Sequence, residues 1–191
     1  TRDGVDPDLY PSTDWLHLVT NDFATNAHIS TDISGGTELL RYRFILGVYN
    51  ESGIIATDPG AAFDAELKLT KYNVRSNIDL NLTKSTLFTF SLGGYMQDRH
   101  APGSNVSSIL QCALEIPPIV HPAVYSNGKF PIQSNRANPY VMATQSGYKD
   151  NYKSQLQSVA TLDQDFGMLW EPLQGLHAKV TFSFDVYQDY W

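Results

Sequence analysis

Cysteine is nearly missing from this 191-residue chain: Cys112 stands alone, so no internal disulfide staples the fold, and it reads as an ordinary buried or loop thiol. Cations are scarce as well, 13 Lys and Arg against 20 Asp and Glu, for a net charge of −7 and a pI near 5.0. Binding a phosphate backbone requires clustered Lys and Arg, so no nucleic-acid partner is expected. No run approaches the roughly 18 apolar residues of a membrane-crossing helix, which leaves strands as the only route across a bilayer. The sequence also lacks a Gly-x-Ser-x-Gly elbow, a glycine-rich phosphate loop and a Cys/His nucleophile pair. It therefore predicts no enzyme, no catalytic residue and no cofactor.

Metal-ligand spacing is wanting too. His17, His28, His100, His121 and His177 are scattered without the short repeats that metal sites favour, and they read as ordinary surface, loop or lumen residues. Asp3, Asp6 and Asp8 offer loop carboxylates, but the spacing and later glutamate of a calcium loop do not follow, so they read as solvated acids.

What the chain does have is alternation. Over 71–83, Tyr72, Val74, Ile78, Leu80 and Leu82 alternate with Asn73, Arg75, Asn77, Asp79 and Asn81, the period of two that defines a strand with unlike faces. The pattern repeats over 39–50, where Leu40, Tyr42, Phe44, Leu46 and Val48 oppose Arg41, Arg43 and Gly47, with Ile45 the one misfit. It returns over 154–166 and over 175–189, where Val180, Phe182, Phe184 and Val186 oppose Lys179, Thr181, Ser183 and Asp185. Weaker strands fit 27–34 and 86–97, about six in all.

The links alternate in length. Gly35–Glu38, Thr83–Thr86 and Gly167–Gln174 are short, whereas 50–70 and 98–153 are long. That is the rhythm of an up-and-down meander with short turns on the periplasmic side and long loops outside. Within the links, Ser104 or Asn105 can cap a helix carrying Val106, Ile109, Leu110, Ala113 and Leu114, stopped by Pro117-Pro118. Ser12 or Thr13 can cap another, with Trp15, Leu18, Val19 and Phe23 along its apolar side.

The fold expected is all-β: antiparallel up-and-down strands of an incomplete transmembrane β-barrel with long extracellular loops, one partial barrel domain over 1–191. Strands of ten or more residues suit the roughly 9 to 11 needed to cross the hydrocarbon at a tilt. Six strands cannot close a barrel, since the smallest common ones have eight, so further strands and any plug domain are expected outside this stretch. The alternative is a soluble β-sandwich binding or adhesion module, whose strands also have one dry and one wet face.

Several ordered pieces resemble a known family. Tyr10-Pro11-Ser12-Thr13-Asp14-Trp15, then His28-Ile29-Ser30 through Ser34-Gly35-Gly36, then Arg41-Tyr42, Gly47 to Ile54 and Tyr72 to Asp79 follow one another as in the SusC/RagA-like TonB-dependent transporters of the Bacteroidetes outer membrane. Pro117-Pro118, Asn138-Pro139-Tyr140, Gly147-Tyr148, Gly175-Leu176 and Ser183-Phe184-Asp185 continue the likeness over nearly the whole chain. The resemblance implies a longer parent, a barrel of about 22 strands with a plug. It further implies a SusD-like surface lipoprotein partner, energy relayed by TonB through the plug, import of glycans or peptides, and a place among the lipids of the bacterial outer membrane.

Two residue sets are candidates for function. Arg41, Arg43, Arg75, Asn77, Asp79, Asp163, Asp165, Lys179 and Asp185 are expected to face the lumen, where opposed charges pair or line a wet path. Tyr125, Tyr140, Tyr148 and Tyr152, assigned to the long loop, could contact ligand or a lid partner through their rings.

Overall fold

A computed structural model describes residues 6–131 and 137–191. Asp3 and the polar start around it lie outside the described residues. The chain divides into two compact units, each assembled from three separate stretches: residues 1–26, 51–69 and 99–150 in one, and 27–50, 70–98 and 151–191 in the other.

The second unit is the sheet. Strands β1 (Asn26–Gly36), β2 (Leu40–Ser52), β3 (Lys68–Asn81), β4 (Thr86–Pro102), β5 (Tyr148–Asp165) and β6 (His177–Tyr190) form one antiparallel meander in the order β1-β2-β3-β4-β5-β6. Each strand lies beside its sequence neighbour; short turns enforce this for β1-β2, β3-β4 and β5-β6, while the long links join β2 to β3 and β4 to β5. Thr37 N–H donates to the Leu40 carbonyl (2.6 Å) in the first turn, and Thr83 and Thr86 exchange backbone bonds across the second. The third is longer, with a 3₁₀ turn at Glu171–Leu173 and Gly175 at φ +87°.

The six strands expected from alternation are all present, and all but the last are longer than the pattern suggested. β4 runs on to Pro102 and β5 starts at Tyr148, so the link placed at 98–153 spans only 103–147. Apolar alternation marks where a face is dry, whereas backbone pairing continues through polar residues such as Tyr148-Lys149-Asp150. The Gly103 N–H to Gly147 carbonyl bond (2.8 Å) extends the pairing one step further. Tyr148 and Tyr152 are thus strand residues, a correction to their assignment to the loop.

The first unit is built from the links and has a core of its own. Helices α1 (Trp15–Val19), α2 (Val106–Glu115) and α3 (Pro139–Thr144) bury Trp15, Val19, Ile55, Ile109, Ala113, Ile116 and Ala143 together. Ile109 and Val19 are fully buried. Asn105 caps α2 as expected, its Oδ1 accepting from Ser107 N–H at 2.8 Å. For α1 the cap is Asp14, which accepts from His17 N–H, rather than Ser12 or Thr13. That helix makes little more than one turn before Thr20 turns extended, which leaves Phe23, expected on its apolar side, exposed. Leu114, expected on the apolar side of α2, is exposed as well. The third helix was missed, although Asn138 followed by Pro139 is a capping pair: Asn138 Oδ1 accepts from Tyr140 and Val141 N–H while its amide donates to the Ala123 carbonyl.

Candidate functional site

Register decides which side chains share a face. Between β5 and β6, Leu156 lies opposite Val186, Ala160 opposite Phe182 and Leu162 opposite Val180, an apolar row. On the other face Asp163 lies opposite Lys179, Gln157 opposite Asp185, Thr161 opposite Thr181 and Asp165 opposite His177. Cross-strand partners project to the same side, so the polar residues meet as complementary pairs. The Thr161 and Thr181 hydroxyls are 3.3 Å apart, and Lys153 Nζ reaches Asp189 at 3.2 Å.

The same face carries the arginine row of β2. Arg43 binds Asp32 of β1 through Nε (3.1 and 3.0 Å to the two carboxylate oxygens) and a terminal nitrogen (2.5 Å). Arg41 reaches Asp79 of β3 at 3.7 Å. These pairs are more than a third exposed, so each contributes little to stability. Their effect is to neutralise the face pair by pair. Among the described residues Arg75 has no ion-pair partner, unlike Arg41 and Arg43; Lys179 is set opposite Asp163 in register, and Lys71 lies over the Tyr95 ring. Asp165 has a second use, its Oδ1 accepting from Gly167 N–H (2.8 Å) to shape the third turn. Of the nine residues expected on this face, the sheet pairs Arg41 with Asp79 and sets Asp163 opposite Lys179. It adds Asp32, Lys153 and Asp189, which the sequence reading passed over. Asp32 was recoverable, because His28, Ser30 and Asp32 alternate with Ile29 and Ile33.

Each face is indented where glycine removes a side chain. On the polar face a cleft of about 530 Å³ opens over Gly47 and Gly93, bordered by His28, Asn73, Arg75, Tyr95, Gln155 and Gln157. Ile45, the misfit of β2, lines it too. On the apolar face a cleft of about 500 Å³ runs beside Gly94, between Leu46, Val48, Tyr72, Met96, Leu156 and Val186. A Cβ at Gly94 would stand 2.5 Å from the Gln155 carbonyl oxygen, whereas one at Gly93 would meet nothing within 4 Å.

The four tyrosines have different surroundings. Tyr140 packs against the loop-unit core, and burial, with the nearby Asp58 carboxylate, raises its pKa. Tyr125 sits at a turn closed by its bonds with Lys129 and Gly128. Tyr148 stacks on His100 with ring centres 5.0 Å apart, and Tyr152 stacks on Tyr190 at 6.3 Å.

His100, read as an ordinary residue, ties two distant segments of the loop unit together. Its Nε2 donates to the Asp64 carbonyl (2.8 Å) and its Nδ1 bonds Asp150. Burial opposes charge on the ring, but the Asp64 carbonyl and the Asp150 carboxylate together outweigh it and raise the pKa. The chain positions that meet here, 64, 100 and 150, lie too far apart in sequence for spacing to reveal them. Other link acids act as loop clamps: Asp8 accepts from the Ser126 N–H and hydroxyl, and Asp6 from Asp8 N–H. Cys112 lies on α2, not in a loop, with its thiol 3.3 Å from the Ala137 carbonyl and its pKa raised by burial and by Glu115.

No protein-family model matches this chain, and no curated protein matches it. Among solved structures it is similar to the RagAB peptide importer in its closed-closed state. The superposition has a TM-score of 0.61 at 15% identity and covers 97% of this chain and 20% of that one. At that identity the likeness is one of fold. This chain spans about a fifth of the length of the importer chain it matches.

Proposed function

We propose that this chain is part of the wall of a SusC/RagA-like, TonB-dependent outer-membrane transporter, with its polar face toward the lumen and its apolar face toward lipid. The observation that carries the reading is a single sheet of strands 11 to 18 residues long whose apolar row is bare: Val180 and Phe182 are each 67% exposed and Phe184 55%. Water does not tolerate a continuous apolar face of this kind, whereas lipid is its natural solvent. A soluble sandwich would instead bury Phe44 and Phe182 against a second sheet. Both are exposed, and the strands form one sheet. The fold likeness to an importer supports the same reading. In this proposal the remaining strands and a plug complete the barrel, a SusD-like lipoprotein covers the extracellular loops, TonB acts through the plug, and the cargo is a glycan or a peptide.

The test uses adjacent residues that point opposite ways. In a Cys112→Ser background reconstituted in vesicles, Asp163→Cys should react with a charged, water-soluble thiol reagent. Leu162→Cys should resist it, and a fluorophore placed there should be quenched by spin-labelled lipid. Equal labelling at both positions, or the reverse order, would overturn the assignment of faces.

A further inference from the structure

We infer that the glycine-floored cleft on the polar face is a binding site for a small ligand bearing a carboxylate, with Arg75 as its anchor; this rests on the wall reading and deepens it by naming a ligand chemistry. The first ground is charge. Arg43 is held by Asp32, Arg41 by Asp79 and Lys153 by Asp189, while Lys179 lies opposite Asp163 in register. Arg75 alone among the arginines of β2 and β3 has no partner among the described residues.

The lining itself holds no acid. Besides Arg75 the cleft is bordered by amides, a tyrosine, a histidine, a serine, the apolar Ile45 and Val74, and glycine backbone, and Lys71 adds a second cation, its Nζ 4.4 Å from the centre of the Tyr95 ring. Asp79, on the same row as Arg75, lies four residues away, about 13 Å at strand rise, and is engaged by Arg41. Asp185 pairs with Gln157 but stands on β6, three strands from β3, about 14 Å at strand spacing. The cleft is therefore locally cationic.

The second ground is shape and donor geometry. Gly47 and Gly93 leave the floor without side chains, and the open space above Gly93 admits a ligand down to the backbone. A guanidinium presents a planar fork that matches a carboxylate's two oxygens. Asn73, Gln155 and Gln157 surround it with groups that both donate and accept hydrogen bonds, and the Tyr95 ring offers a flat apolar side. A ligand with a carboxylate at one end and hydrogen-bonding groups along its length satisfies all of these together.

The experiment measures binding of N-acetyl-trialanine and of its C-terminal amide to the complete barrel protein in detergent micelles by isothermal titration. The acid should bind about tenfold more tightly than the amide, the size expected of one charge-assisted pair in a partly wet site. Arg75→Gln should abolish that preference, Arg75→Lys should keep part of it, and Lys84→Gln, in the turn after β3, should leave it intact. Gly93→Leu should weaken both ligands by filling the floor. Circular dichroism of each variant confirms that the sheet is retained. Equal binding of acid and amide, or a preference that survives Arg75→Gln, overturns the inference. The labelling of Asp163→Cys and Leu162→Cys reports the wall reading separately: normal labelling without acid preference sinks the cleft alone, and reversed labelling sinks the wall.

Discussion

Replacing Phe184 by arginine places a charge where the proposed lipid contact is deepest. β6 has 14 residues, about 46 Å at strand rise and about 33 Å along the membrane normal at a 45° tilt. Phe184 lies seven residues into the strand, about 16 Å along the normal, which is the midplane. It sits in the apolar row, opposite Ser158, whose hydroxyl donates to the Phe184 carbonyl at 3.0 Å. Arginine on the lipid side of a barrel at that depth costs about 2–4 kcal/mol, a factor of about 30 to 900 in the folding equilibrium. Its neighbour Ser183 projects to the polar face opposite Val159, and arginine there should cost no more than about 0.5 kcal/mol. Guanidinium titration of the vesicle-reconstituted protein, followed by tryptophan fluorescence, reads both. If Ser183→Arg is as damaging as Phe184→Arg, the two faces are not lipid and lumen.

Two further outcomes follow from the local geometry. The raised pKa of His100 means that its clamp on Asp64 and Asp150 contributes fully below its ordinary value of about 6.5 and fades as pH rises through the elevated folded value. Amide exchange around Tyr148–Asp150 should accordingly quicken across that window beyond its intrinsic base dependence, and His100→Gln should remove the excess. At the glycine pair, Gly94→Ala forces a Cβ toward the Gln155 carbonyl and should destabilise the sheet by about 1–3 kcal/mol, whereas Gly93→Ala has open space and should be tolerated. Denaturant midpoints for the two variants check this, and equal losses would contradict the close β4–β5 approach.

Much of the sheet was legible because a strand writes its two faces into sequence with a period of two. Tyr72 to Leu82 and Leu176 to Val186 could scarcely be read otherwise, and the short turns then fixed the pairings β1-β2, β3-β4 and β5-β6. Where faces were not alternately wet and dry the signal failed, so the polar beginning of β5 was assigned to a loop. Helix α3 escaped because six residues are too few for a 3.6-residue period to show, even though its Asn-Pro cap was in view.

Composition and alternation by themselves determined that this chain is all-β, that its strands are long and two-faced, and that its charges cluster on one side. Those properties are local, carried by residues a few positions apart. Only the tertiary structure decided which charges meet. Arg43 finds Asp32, while Arg75 has no ion-pair partner among the described residues, because register, a property of two strands at once, sets the partners. His100 joins residues 36 and 50 positions away for the same reason: contacts between distant segments depend on the path of the backbone, which no single stretch of sequence encodes.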